Sequence, residues 1–179
     1  MSDSSSQPRT AGSGAILDFA ERLRARREDQ PELLRTYESW VVFRVSNRNM
    51  ALPVSHVREL LRVPEFTGVP NAPKPIAGVM NLRGHVLALV DGNGILGLPP
   101  SFETDRSRVL IFLLDGRELG LLVDEVIGLE RLQVELIQPT PNTEPLAAVA
   151  QGIYPLPGGE PVLLLAATRL FADDELSLN

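Results

Sequence analysis

The sequence has no cysteine, one lysine (Lys74), two histidines and only nine aromatic side chains in 179 residues. Each scarcity closes a route to function. Without cysteine there is no disulfide framework, no thiolate metal site and no cysteine nucleophile. Seventeen basic residues lie scattered against a formal net charge of −6. That leaves neither a basic stripe for duplex nucleic acid nor a basic, aromatic-lined groove for single strands. His56 and His85 belong to no H-x-x-x-H or H-E-x-x-H pair, so no metal is expected. No run approaches the roughly 18 apolar residues of a membrane span. The polar start MSDSSSQPRTAGSG has neither the basic nor the apolar part of a signal peptide. These absences predict a cytoplasmic protein with no nucleic-acid partner and no direct membrane insertion.

Catalytic groups are equally sparse. There is no G-x-S-x-G, and the acids of Asp124-Glu125 and Asp173-Asp174-Glu175 are sequence neighbours whose side chains point apart. Asp91-Gly-Asn-Gly lacks the further acids of a calcium loop. One motif suggests a cofactor: Gly92, Gly94 and Gly97 fit G-x-G-x-x-G after the apolar run Val86–Val90, and Asp115 lies about twenty residues on. A dinucleotide fold would need a crossover helix of roughly ten or more residues next. Pro99-Pro100 stands there instead, and a proline in a helix interior costs about 3 kcal/mol. The motif is therefore a single helical turn at most. No catalytic residue, cofactor or metal is assigned.

What is present is 44% apolar residues in a largely β texture. Residues 1–14 read as a disordered tail. Residues 15–38 read as a helical N-terminal extension, with Ile16, Phe19, Ala20 and Leu23 at helical spacing, an interruption at Pro31, and ELLRTYESW as a second helical piece. This extension is expected to dock on the rest of the protein or on a partner. From Trp40 the pattern changes. Trp40–Val45 reads as a strand, Asn47–Asn49 as a turn and Met50–Leu52 as its return, while Val54–Leu61 reads as a short helix burying Val54, Val57, Leu60 and Leu61. Two apolar runs meet at Gly84-His85. Two more flank Asp115-Gly116, a favoured tight-turn pair. A last hairpin runs from Val149 to Leu165, followed by a short helix at Ala167–Phe171. Short strands with frequent turns predict an all-β (mainly β with short helices) barrel or sandwich. Asn81 and Arg83 interrupt the apolar hairpin 76–91 and flank its turn. Asn81 suits a turn cap, and Arg83 carries a planar fork suited either to solvent or to interface pairing.

The residues Val57-x-Glu59-Leu60-Leu61, Val69-Pro70-x-x-Pro73, Ala77-Gly78-Val79-x-Asn81-Leu82-Arg83-Gly84-x-Val86 and Leu89-Val90-Asp91 come in that order. Gly120-Leu121-Leu122-Val123-Asp124-x-Val126, Pro139 and Gly152-Ile153 follow them. Together they resemble the CheW family of chemotaxis coupling proteins. The resemblance implies two intertwined SH3-like five-stranded β-barrels over residues 39–173, with a groove between them and a C-terminal tail at 174–179. It implies a non-catalytic adaptor joining a chemoreceptor (methyl-accepting) cytoplasmic tip to the regulatory domain of a CheA-type histidine kinase, at membrane-associated receptor arrays. Other CheW-like proteins are further candidate partners. By position, Val57, Gly78, Asn81, Leu82, Arg83 and Gly84 fall where the family docks receptor or kinase. Glu59 and Arg83 match a charged pair, and Val123 and Val126 would line the second barrel's side. Gly92-Asn93 and Ala166-Ala167 depart from the family's common Leu-Arg and Leu-Asp. One alternative is an accessory CheW-like protein of a gliding or pilus-type pathway that binds receptor or another adaptor but not kinase. A different class would be a small-molecule-binding β-barrel or an enzyme.

Overall fold

The run Trp40–Phe43 is buried at every position, so the strand that carries it must be covered on both faces. In the computed structural model, which describes residues 35–114, 116–156 and 159–172, this is β1 (Tyr37–Val45). Val41, Phe43 and Val45 point into the largest apolar cluster, while Trp40 and Val42 point the other way into a smaller one. β7 (Arg108–Leu114) has the same double role. Leu110, Phe112 and Leu114 join the large cluster, and Val109 and Ile111 join a third.

Around these strands the chain builds β2 (Arg48–Pro53), a 3-10 turn (Val54–His56), β3 (Val57–Arg62), β4 (Phe66–Thr67), β5 (Ile76–Leu82), β6 (His85–Asp91) and α1 (Gly92–Ile95). After β7 come β8 (Arg117–Val123), β9 (Glu125–Gln133), a 3-10 turn (Val134–Leu136), β10 (Ala150–Tyr154), β11 (Val162–Leu165) and α2 (Ala167–Leu170). They form two sheets, the expected pair of SH3-like barrels. One has five strands in the order β10-β11-β2-β1-β9. The other has six, β3-β7-β8-β6-β5-β4, the sixth being the two-residue β4. The first sheet takes the first two and last three strands of the chain, and the second is inserted between them. The large cluster draws on both.

Two expectations are corrected. Val54–Leu61 is not a helix but a 3-10 turn followed by β3, paired antiparallel with β7 from Arg62↔Arg108 to Val57↔Phe112. The apolar spacing fitted a helical face, but the open edge of β7 offered backbone partners from Val57 to Arg62. β1 also begins at Tyr37, where Tyr37 and Glu38 pair with Gln133 and Leu132 of β9, and residues 35–36 before it are irregular, so none of residues 35–38 continues a helix. The rest of the expected extension up to residue 34, the tail over 1–14 and the C-terminal tail 174–179 lie outside the described residues.

The G-x-G-x-x-G segment forms the single turn α1. Asp91 caps it by accepting from the amides of Asn93 and Gly94, both at 3.1 Å. Two of the amides that a phosphate would use are thus already taken. Gly92 is required for a different reason: a Cβ there would stand 2.5 Å from the carbonyl oxygen of Leu122.

Candidate docking site

Leu82 and His85 close the β5–β6 hairpin in register, with Arg83 at φ 53° and Gly84 at φ 89° between them. Two consecutive left-handed residues match the twist of antiparallel strands. Asn81 caps the turn, its Oδ1 accepting from the Gly84 amide at 2.8 Å. Arg83 holds a conformation that glycine or asparagine adopts more readily. Its side chain is 76% exposed, and Nη2 donates to Glu59 Oε1 at 2.8 Å.

Glu59 reaches this partner from β3, at the far edge of the same sheet. A register shift between Val57 and Glu59 makes Arg58 a bulge, and Arg58 pairs with Glu118 on β8. Edge strands often carry such bulges and charges, which discourage further strand pairing. The Glu59–Arg83 pair therefore joins the β5–β6 hairpin to the opposite edge of the curled sheet. At this exposure it contributes about 0–1 kcal/mol to folding.

Beside Glu59 lies an apolar groove of about 290 Å³ between β3 and β9, which belong to different sheets. Val41, Val54 and Leu110 form its floor, with Val57 and Leu60 on one wall and Val126 and Leu129 on the other. Leu60 is 49% exposed and Leu129 72% exposed. Two other depressions, one around Arg48, Glu144 and Glu160 and one around Arg62, Glu103 and Arg108, bring together none of the sequence-predicted residues.

Of those residues, Val57 and Val126 meet in the groove, with Glu59 linking them to Asn81, Arg83 and Gly84 at the hairpin tip. Leu82 is half-buried against the third cluster. Gly78 and Val123 are inside. A Cβ on Gly78 would stand 2.4 Å from the Thr67 carbonyl oxygen, because β4 crosses there, and Val123 is 1% exposed in the large cluster. Any part these two take in docking is indirect, through the packing of β4 and β8. The helical reading of 54–61 put Leu60 inside, so sequence reasoning missed it; period-two reading would have separated it from Leu61. Leu129 carried no local signal, since an apolar residue on a strand is ordinarily core.

Residues 39–175 match the sequence profile of the CheW-like domain. The chemotaxis protein CheW of Rhizobium meliloti (strain 1021) is 31% identical over 137 residues, covering 75% of this chain and 88% of that protein. Protein PilI of Pseudomonas aeruginosa is 30% identical over 138 residues, or 76% of each chain. Among solved structures, the scaffolding protein TtCheW from Thermoanaerobacter tengcongensis shares the fold, with a TM-score of 0.72 at 23% identity over 83% of this chain and 97% of that one.

Proposed function

This chain belongs to the CheW-like domain family, and from that premise we propose that it is a non-catalytic adaptor coupling a chemoreceptor's cytoplasmic tip to a CheA-type histidine kinase. The observation that carries the reading is the juxtaposition of the apolar groove with the Glu59–Arg83 pair on its rim. An exposed apolar trough suits the apolar stripe of a partner helix, which presents anchors at i, i+3 or i+4 and i+7. The rim charges then select and orient that helix. The hairpin tip, Asn81 to Gly84, extends the same surface.

The test measures binding and folding together. Arg83→Ala is expected to change folding by no more than about 1 kcal/mol. At a desolvated interface, losing one member of a charge pair weakens binding by roughly tens to thousands-fold. Leu129→Glu, on an exposed position, should abolish capture of the receptor-tip helical fragment without lowering the melting temperature. If both variants melt normally and still bind receptor tip and kinase regulatory domain as the parent does, the site is elsewhere. A second reading, an adaptor of a pilus-type pathway, is supported by the likeness to PilI. It differs in one arm of the same test: the protein then captures receptor or a second adaptor and leaves the CheA-type kinase unbound.

A further inference from the structure

Among the described residues only two polar side chains are buried, Asn93 (3% exposed) and Ser107. Asn93 is the centre of a closed circuit of hydrogen bonds. The Ser46 hydroxyl donates to Asn93 Oδ1 at 2.6 Å, and Asn93 Nδ2 donates to Ser101 Oγ at 2.8 Å. The Ser101 hydroxyl donates to Asp124 Oδ1, and the Ser46 amide donates to Asp124 Oδ2 at 2.7 Å, which closes the ring. The Asp124 amide in turn donates to the Arg44 carbonyl at 3.0 Å.

The location of the circuit gives it a consequence. Asp124 is the single residue between β8, in the six-stranded sheet, and β9, in the five-stranded one. Ser46 follows β1 directly, opening the β1–β2 turn of the five-stranded sheet at φ 48°, a left-handed conformation that serine adopts infrequently. Asn93 lies on α1, directly after β6 of the six-stranded sheet. The circuit therefore ties the two sheets together at the point where the chain crosses between them. Val126, two residues beyond Asp124, and Leu129, in register with Val41 of β1, form one wall of the groove. We propose that Ser46, Asn93, Ser101 and Asp124 are positioning residues that lock the angle between the two sheets and so hold the groove at the width its partner helix needs. The binding half of this inference rests on the groove being the docking site. The geometric half does not.

The absence of native cysteine makes the test direct. Spin labels on Leu60→Cys and Leu129→Cys, one on each wall, report the groove width in the full chain without any partner. The parent is expected to give one narrow distance distribution. Ser101→Ala removes the hydroxyl that closes the circuit at an exposed position, and should broaden or shift that distribution while the sole tryptophan, Trp40, still reports a folded protein. Ser101→Thr, which keeps the hydroxyl, should restore it. In unlabelled protein, Ser101→Ala should weaken capture of a receptor-tip helical fragment by roughly fivefold or more, the scale typical of coupling between sites. An unchanged distribution in folded Ser101→Ala overturns the proposal, and so does a broadened one that Ser101→Thr fails to restore. If the parent binds no receptor tip at all, the proposed function fails, yet the distances still decide the lock.

Discussion

Arg83 combines a backbone that favours glycine with a side chain that only arginine supplies. At φ 53° a residue with a Cβ loses roughly 1 kcal/mol relative to its relaxed conformations, about as much as an exposed ion pair returns. Folding alone gives little reason for arginine here. The two contributions can be separated: Arg83→Gly is expected to melt at or above Arg83→Ala, by up to about 1 kcal/mol, while both lose the Glu59 contact and bind partner equally poorly. If Arg83→Gly binds like the parent, the turn geometry and not the guanidinium is what the partner reads. Asn81 as a turn cap was legible from its place before Arg83-Gly84. The left-handed backbone at Arg83 was not, because arginine carries no preference that announces it.

β3 shows how an element can satisfy one pattern and adopt another. Val54, Val57, Leu60 and Leu61 suit a helix, yet in the strand Leu61 packs on the third cluster and Leu60 faces out into the groove. Leu61→Ala is therefore expected to destabilise by about 2 kcal/mol, and Leu60→Ala by no more than about 0.5 kcal/mol. Equal losses in urea unfolding would restore the helical reading. At the start of β1, the Thr36 amide donates to Glu135 Oε1 at 2.9 Å. Backbone hydrogen bonds, that of Thr36 foremost, hold the Glu135 carboxyl below its ordinary range. A lowered carboxylate pKa makes this contact fully present above the ordinary range and lost as pH falls through the lowered value. Amide protection at Thr36 should accordingly persist through mild acid and decline only below the ordinary carboxylate range, while that of Val42, mid-strand, persists further. Glu135→Gln should remove this pH dependence.

At the scale of the molecule, the large cluster takes Phe43 and Met50 from one sheet and Phe112 and Leu121 from the other, with the Phe112 and Phe171 rings 5.5 Å apart. Neither sheet keeps its apolar face covered if the other unfolds, so the two should unfold as one unit. Trp40 fluorescence reports the five-stranded sheet, and a label on Val86→Cys, at an exposed position of β6, reports the six-stranded one. Coincident midpoints are expected. Two separated transitions would mean that the barrels are independent, and a lock between their sheets would then have little to hold.

Short strands, the hairpin around Gly116 and the shortness of α1 were written in contiguous residues, because turn chemistry and helix termination act over three or four positions. The turn expected at Gly84-His85 was legible to within one residue, the structure placing it at Arg83-Gly84 with His85 opening β6. The exclusions were equally local: a chain without cysteine forms no disulfide, whatever its fold. Tertiary structure alone decided which edges meet. It paired β11 with β2 and β8 with β6 in parallel, turned residues 57–62 into a strand along β7, and brought Leu60 and Leu129 to the two walls of one groove. It also closed the circuit among Ser46, Asn93, Ser101 and Asp124. Contacts between residues dozens of positions apart leave no periodicity to read. They exist because two sheets, each with an apolar face too large to leave in water, bury those faces together.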